Sequence, residues 1–247
     1  MASKDDKLIL RRKDIRQQIA QSFATAMNGV AAQTGGSIKL AESRLRQALH
    51  RDHAPRAGLV SDLRNKSRIG VNHKEDLAIL AVDMRGSTAL AEKHKADKVF
   101  VLMQCFIPLM AFIVQALDGE VVGLRGDGLI AAFGFAEKTW RPCLNRAYEA
   151  GAIMIEVNGV ELAPFLIERN FPAATAIGAG VDCGRRVTIT KIGLGDAIEV
   201  TAYGAAVNTA AKKSKLVNTL WLSATANSWL HDEEGDGTFT PKRTRLI

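Results

Sequence analysis

Leu77–Thr88 reads LAILAVDMRGST, and this stretch decides how the chain is read. The run Leu77–Val82 is apolar throughout and has no helical stripe. A short apolar run bounded by charge is the pattern of a buried strand. The lone carboxylate of Asp83 then stands where that strand ends. A carboxylate at a buried edge costs free energy unless a positive group meets it. A metal ion is one such group. Arg85, two residues on, is the other.

Gly119–Phe133, GEVVGLRGDGLIAAF, carries the second signal. Two apolar runs flank Arg125-Gly-Asp-Gly128. Asp-Gly between apolar runs predicts a tight hairpin, because such turns need positive φ. Asp127 is then either a plain turn former or a group presented at the hairpin tip. If the two strands share a sheet with Leu77–Val82, Asp83 and Asp127 converge. Paired carboxylates hold hard cations such as Mg²⁺ or Mn²⁺.

With a third stretch, Ala176–Lys213, the chain resembles a class III nucleotide cyclase catalytic domain. Four motifs carry the resemblance: Asp83-Met-Arg85-Gly-Ser-Thr88, Gly126-Asp127, Gly180-Val-Asp-Cys-Gly184 and Gly204-Ala-Ala-Val-Asn208-Thr-Ala-Ala-Lys212. Each is weak alone, but together they stand in family order at compatible spacing. They cover roughly Asp76–Ser223. The resemblance implies an α+β fold: a ferredoxin-like core, one mostly antiparallel sheet covered by helices. It also implies a homodimer with its sites at the interface, because the carboxylates and the Asn-bearing helix come from different protomers. Asp83 and Asp127, joined by the backbone carbonyl of Met84, would hold two divalent cations per site. Asn208 would orient the ribose, and Lys212 would stabilise the transition state. The family usually has Arg at that last position. Lys lacks the bidentate fork, and Lys213 could share the role. Arg185 matches a position used for the terminal phosphates. The structural alternative for Lys212, Lys213 and Lys215 is a solvated helix end.

Base choice departs from the best-known members. Adenylate cyclases place Lys and Asp, and guanylate cyclases Glu and Cys, where this chain has Gly123 and Thr201. Purine readout by those groups does not fit. The layout and the VDMRGST strand end look most like the stand-alone pyrimidine cyclases of bacterial antiphage (Pycsar) signalling. That resemblance implies cyclic UMP or cyclic CMP as product, UTP being slightly preferred as substrate, and a separate effector activated by the product. An adenylate cyclase and a non-catalytic nucleotide-binding module are the competing readings.

The remainder of the chain bounds these readings. Its 247 residues, 47% hydrophobic and 24% charged, suit one globular domain with appendages. We divide it into a basic helical N-terminal extension, 1–76, and a catalytic domain, 77–247. Residues 1–76 hold 15 Lys/Arg against 8 Asp/Glu, whereas residues 77–247 hold 18 of each. The basic excess of +7 is therefore confined to the extension. No aromatic platform accompanies it, so solvated amphipathic helices explain it better than nucleic acid or an anionic membrane. Helices are expected over Leu8–Ala32 and Ile38–His50. Cys105, Cys143 and Cys183 have no paired spacing, which points to a reducing compartment without disulfides or zinc. The N-terminus has no apolar core of a secretory signal, and a cytoplasmic location is expected. Val99–Leu117 is long enough for a membrane span and is uncharged, but it contains Gln104, Pro108 and Gln115. A helix packed on a sheet, buried on its other side by a partner, explains it better. No second span is apparent. Strands are expected at Ala174–Val181, Arg186–Ile192, Ala197–Thr201 and Leu220–Leu222, with a helix over Ala205–Leu216.

Overall fold

The computed structural model describes residues 10–35, 71–134, 140–194 and 197–231. The helix expected over Ile38–His50 and the tail beyond His231 lie outside them. Helix α1 (Arg12–Gly35) leads to strand β1 (His73–Met84), the short helix α2 (Ser87–Lys93) and the long helix α3 (Ala96–Ala116). The hairpin β2 (Glu120–Arg125) and β3 (Gly128–Phe133) follows. Next come α4 (Trp140–Val157), a π-helical turn (Asn158–Leu162) and α5 (Ala163–Ile167). Strands β4 (Ile177–Leu194) and β5 (Ala197–Tyr203), helix α6 (Ala205–Lys213), strand β6 (Leu220–Leu222) and helix α7 (Ala224–His231) complete the order.

The strands form one sheet in the order β2-β3-β1-β4-β5, with β6 added beside β4. Every pairing is antiparallel except β4 with β6. β1 lies between β3 and β4, so both its edges are paired, and both its faces are covered by packed helices. Ala78, Leu80, Val82 and Met84 enter a core with α1, α3, α4 and α7. Leu77, Ile79 and Ala81 enter a second core with Val207 and Ala210 of α6. This two-sided burial is why the strand reads as an unbroken apolar run. The expected α+β sheet covered by helices is the fold observed.

Four details differ from the sequence reading. First, the apolar girth of α3 is covered within the chain: α1 packs along it, placing Ile15 and Ile19 in the same core as Phe106 and Ile113. No partner is needed to explain that burial. Second, Pro142–Ile167 joins Ala96–Ala116 as a helical stretch long and apolar enough to cross a membrane. About half of each is buried against the rest of the chain, as core helices of a folded domain are. Third, the two strands expected at Ala174–Val181 and Arg186–Ile192 are one strand. Its apparent break is a bulge, where Arg186 takes φ 57° and its amide donates to Asp76 at 2.9 Å. The β1–β4 register shifts at the same place, between Glu75 and Leu77. Fourth, α6 ends at Lys213, short of the expected Leu216.

α1 is fastened by charge as well as by packing. Glu161, held in the π-turn, accepts from Arg16 Nε at 2.8 Å and from Arg12 Nη1 at 3.0 Å. The Arg16 hydrogen bond, helped by Arg12, holds the Glu161 carboxyl below the ordinary carboxylate range despite burial.

Candidate active site

Asp83 is the penultimate residue of β1 and pairs in register with Gly128 on one side and Gly178 on the other. The β2–β3 turn brings Asp127 to the same sheet end, where the Met84 amide donates to the Asp127 carbonyl at 3.4 Å. The turn is Gly-Asp rather than Asp-Gly: Arg125 pairs with Gly128, and the positive φ, 61°, falls on Gly126. Glycine at the first central position is the usual demand of a II′ hairpin. Gly128 is glycine for a different reason. A Cβ there would lie 2.3 Å from the Val82 carbonyl oxygen and 3.0 Å from Asp83 Oδ1. The missing side chain leaves the space beside that carboxylate oxygen clear.

The Asp83 carboxylate has a positive partner within the chain. Arg85 pairs with it through Nη2 and Asp83 Oδ2. Arg85 Nη1 also donates to the Lys215 carbonyl at 3.3 Å, tying the Asp83 end of β1 to the chain just after α6. The residues nevertheless fit a divalent ion. A carboxylate at the end of β1 and one in the neighbouring β2–β3 turn supply hard oxygen donors, and Oδ1 of Asp83 faces the notch left by Gly128. Among the described residues no group of three or more His, Cys, Asp or Glu gathers.

α6 is seated by glycines on β4. A Cβ on Gly180 would lie 2.3 Å from the Ala210 carbonyl oxygen, and one on Gly178 would lie 2.1 Å from that of Ser214. One on Gly184 would meet Ala206 Cβ at 3.1 Å. The Gly180–Gly184 motif is thus a groove into which the helix backbone drops. Ala206, Val207, Ala210 and Ser214 are buried, whereas Asn208 and Lys212 are exposed one turn apart on the outer face. Lys213 is engaged elsewhere: its Nζ lies 4.5 Å from the Trp221 ring centroid. Of the two lysines, Lys212 is the one that shares a face with Asn208.

Arg185 is exposed on β4, next to the bulge. Asp83 pairs with Gly178, seven residues earlier on that strand, or about 23 Å at strand rise. One chain therefore does not bring Arg185 to its own carboxylate pair. Gly123 and Thr201 do come together, through neighbours that the sequence reading missed. Thr201 is buried, and its hydroxyl accepts from Arg125 Nη2 at 3.4 Å. Glu199 Oε1 accepts the Leu124 amide at 3.4 Å and faces Gly123. Spacing alone could not find this, because β2 and β5 are far apart in sequence and not paired in the sheet.

No family model matches the chain. Its curated relatives include cytidylate cyclases from Staphylococcus aureus, 28% identical over 142 residues, and Escherichia coli, 27% over 161 residues. The matches take in 57% and 61% of this chain, which spans about a third (34%) of each relative's length. Similar solved structures include the adenylyl cyclase CyaB from P. aeruginosa, with TM-score 0.59 and 20% identity over 66% of this chain and 84% of that one. A class III adenylyl cyclase-like ATP-binding protein from Pseudomonas aeruginosa has TM-score 0.59 and 17% identity, over 81% of this chain and 46% of that one. A guanylyl cyclase has TM-score 0.57 and 21% identity, over 66% of this chain and 81% of that one.

Proposed function

Because this chain carries the class III nucleotide cyclase fold, we propose that it closes a pyrimidine nucleoside triphosphate into its 3′,5′-cyclic monophosphate, releasing pyrophosphate. The observation that carries the reading is the pair Asp83, at the end of β1, and Asp127, in the β2–β3 turn beside it, next to the notch at Gly128. Bound there, two Mg²⁺ or Mn²⁺ ions would lower the pKa of the ribose 3′-hydroxyl and neutralise charge growing on the phosphates. Asp83 and Asp127 hold that cation site in place, with the Met84 carbonyl beside them. Asn208 orients the ribose. Lys212, one turn on, offers a positive charge to the α-phosphate, and Arg185 meets the terminal phosphates.

Asn208 and Lys212 face away from the sheet whose end carries Asp83. A second copy of the chain, donating its carboxylates to this helix face, completes two equivalent sites in a homodimer. The curated relatives, both cytidylate cyclases, support a pyrimidine base and set CTP beside UTP as substrate. In a cell the product acts as the messenger of an antiphage system, read by a separate effector. The second reading, a nucleotide-binding module without turnover, is favoured by the likeness to an adenylyl cyclase-like ATP-binding protein and by Lys at position 212.

The test is incubation of the purified chain with Mn²⁺ and each of ATP, GTP, CTP and UTP, with products identified by mass. Cyclic CMP or cyclic UMP is the expected product. Cyclic AMP or cyclic GMP would overturn the pyrimidine assignment. Tight nucleotide binding with no product from any tube would leave the binding-module reading standing in its place.

A further inference from the structure

Where β2 ends, the structure sets two side chains of opposite charge that no motif singles out. Glu199 and Thr201 are two apart on β5 and share a face, as do Gly123 and Arg125 on β2. Glu199 faces Gly123, and Arg125 reaches Thr201. Both charged groups are exposed. Each is held across to the other strand, Arg125 by the buried Thr201 hydroxyl and Glu199 by the Leu124 amide, at 3.4 Å in both cases.

Packing does not demand glycine at 123. A Cβ there would have Glu199 Oε1, at 3.8 Å, as its only close neighbour. The register shift between Val121 and Gly123 marks a bulge at this point, a device that re-aims a strand beside a site. The result sets an acceptor, Glu199, on one side of the buried Gly123 and a forked donor, Arg125, near the other. The strand that carries Glu199 and Thr201 then feeds α6, where Asn208 stands seven residues after Thr201.

We infer that Arg125 and Glu199 read the nucleobase, and that the base they select is cytosine. This rests on the pyrimidine cyclase reading and names the base for it. Cytosine presents a donor, N4–H₂, followed by two adjacent acceptors, N3 and O2. A carboxylate accepts from the first, and an arginine fork donates to the other two. Uracil presents acceptor, donor, acceptor, so its central N3–H would face the fork. The hydrogen bonds to Thr201 and Leu124 leave three or more donors on Arg125 and the second oxygen of Glu199 for the base.

The experiment compares kcat/KM for CTP and UTP in the wild-type chain and in Arg125→Lys, Arg125→Ala and Glu199→Gln, with circular dichroism checking the fold. The wild type is expected to favour CTP. Arg125→Lys, which keeps the charge but loses the fork, is expected to lower CTP turnover about 10- to 100-fold with a smaller effect on UTP. Glu199→Gln, which offers an amide N–H to a base acceptor, is expected to move the ratio toward UTP. A structural role would lower both nucleotides alike, and an unchanged CTP-to-UTP ratio in these variants overturns the inference. So does a wild type that prefers UTP or a purine. If the wild type turns over none of the four, the cyclase reading fails, and calorimetric binding of CTP and UTP decides the inference separately. CTP preference lost in Arg125→Lys sustains it, and equal binding of both nucleotides sinks it.

Discussion

Asp83 and Asp127 are half-buried at a sheet end, the Asp83–Arg85 ion pair there is partly solvated, and Asn keeps the shape of Asp. Asp83→Asn and Asp127→Asn are therefore expected to keep the fold while turnover falls on the order of a thousandfold, the loss of several kcal/mol of transition-state stabilisation. Product formation beside a thermal melt checks both halves. The two lysines of α6 separate in the same way. On the proposed function, Lys212→Ala is expected to lower kcat by about tenfold or more, because Lys212 is an exposed cation on the Asn208 face, placed to meet a phosphate. Lys213→Ala is expected to spare kcat and lower stability by about 0.5–1 kcal/mol, the worth of its contact with Trp221. Loss of turnover in Lys213→Ala with Lys212→Ala unaffected would reverse the assignment. At this scale the sequence named the carboxylates, because a strand-end Asp and a Gly-Asp turn are local patterns. Arg125 and Glu199 were not legible, because their relation exists only where β5 meets β2.

Two elements are fitted to their neighbours closely enough to make sharp tests. α6 lies on glycines, and at Gly180 a Cβ would sit 2.3 Å from the backbone oxygen of Ala210. Backbone cannot swing aside as a flexible side chain can. Gly180→Ala is expected to cost about 1–3 kcal/mol and to displace the helix that carries Asn208, so denaturant midpoint and turnover fall together. α1 is held by Glu161. Its carboxyl titrates lower in the folded chain than the ordinary 4.5. A lowered folded pKa gives stability that is present above the unfolded value and lost as pH falls through the folded one. In Glu161→Gln the thermal midpoint is expected to drop at pH 7, and the gap from wild type to close as pH falls below 4.5. Melting curves at a series of pH values, with hydrogen exchange along α1, check it. An equal gap at every pH would mean that the loss is one of packing and not of charge. The sequence placed α1 over Leu8–Ala32 against the observed Arg12–Gly35, and expected a partner where α1 itself covers α3.

For the whole molecule, the outward face of α6 makes the dimer the central question. If each site takes its carboxylates from one copy and Asn208 from the other, two dead variants complement each other. Asp127→Ala mixed with Asn208→Ala and allowed to exchange subunits is expected to regain about a quarter of wild-type turnover, since half the dimers hold one intact site of two. Each variant alone stays inactive. A mixture as inactive as its components, with exchange demonstrated by tagged chains, would place all the residues of a site in one copy.

The sequence by itself determined β1, the hairpin and the order of most elements, and singled out Asp83 and Asp127 as candidates. These rest on periodicity, turn chemistry and spacing, which act between near neighbours in the chain. The tertiary structure alone decided that Arg85 reaches both Asp83 and the carbonyl of Lys215. It alone decided that Lys213 leaves the site for Trp221, and that Gly123 and Thr201 are flanked by Glu199 and Arg125. It also joined two apparent strands into β4, by absorbing Arg186 as a bulge against Asp76. The physical reason is the same in each case. The interactions lie between segments that only packing brings together, and a side chain's choice among several partners is settled by distance in the fold.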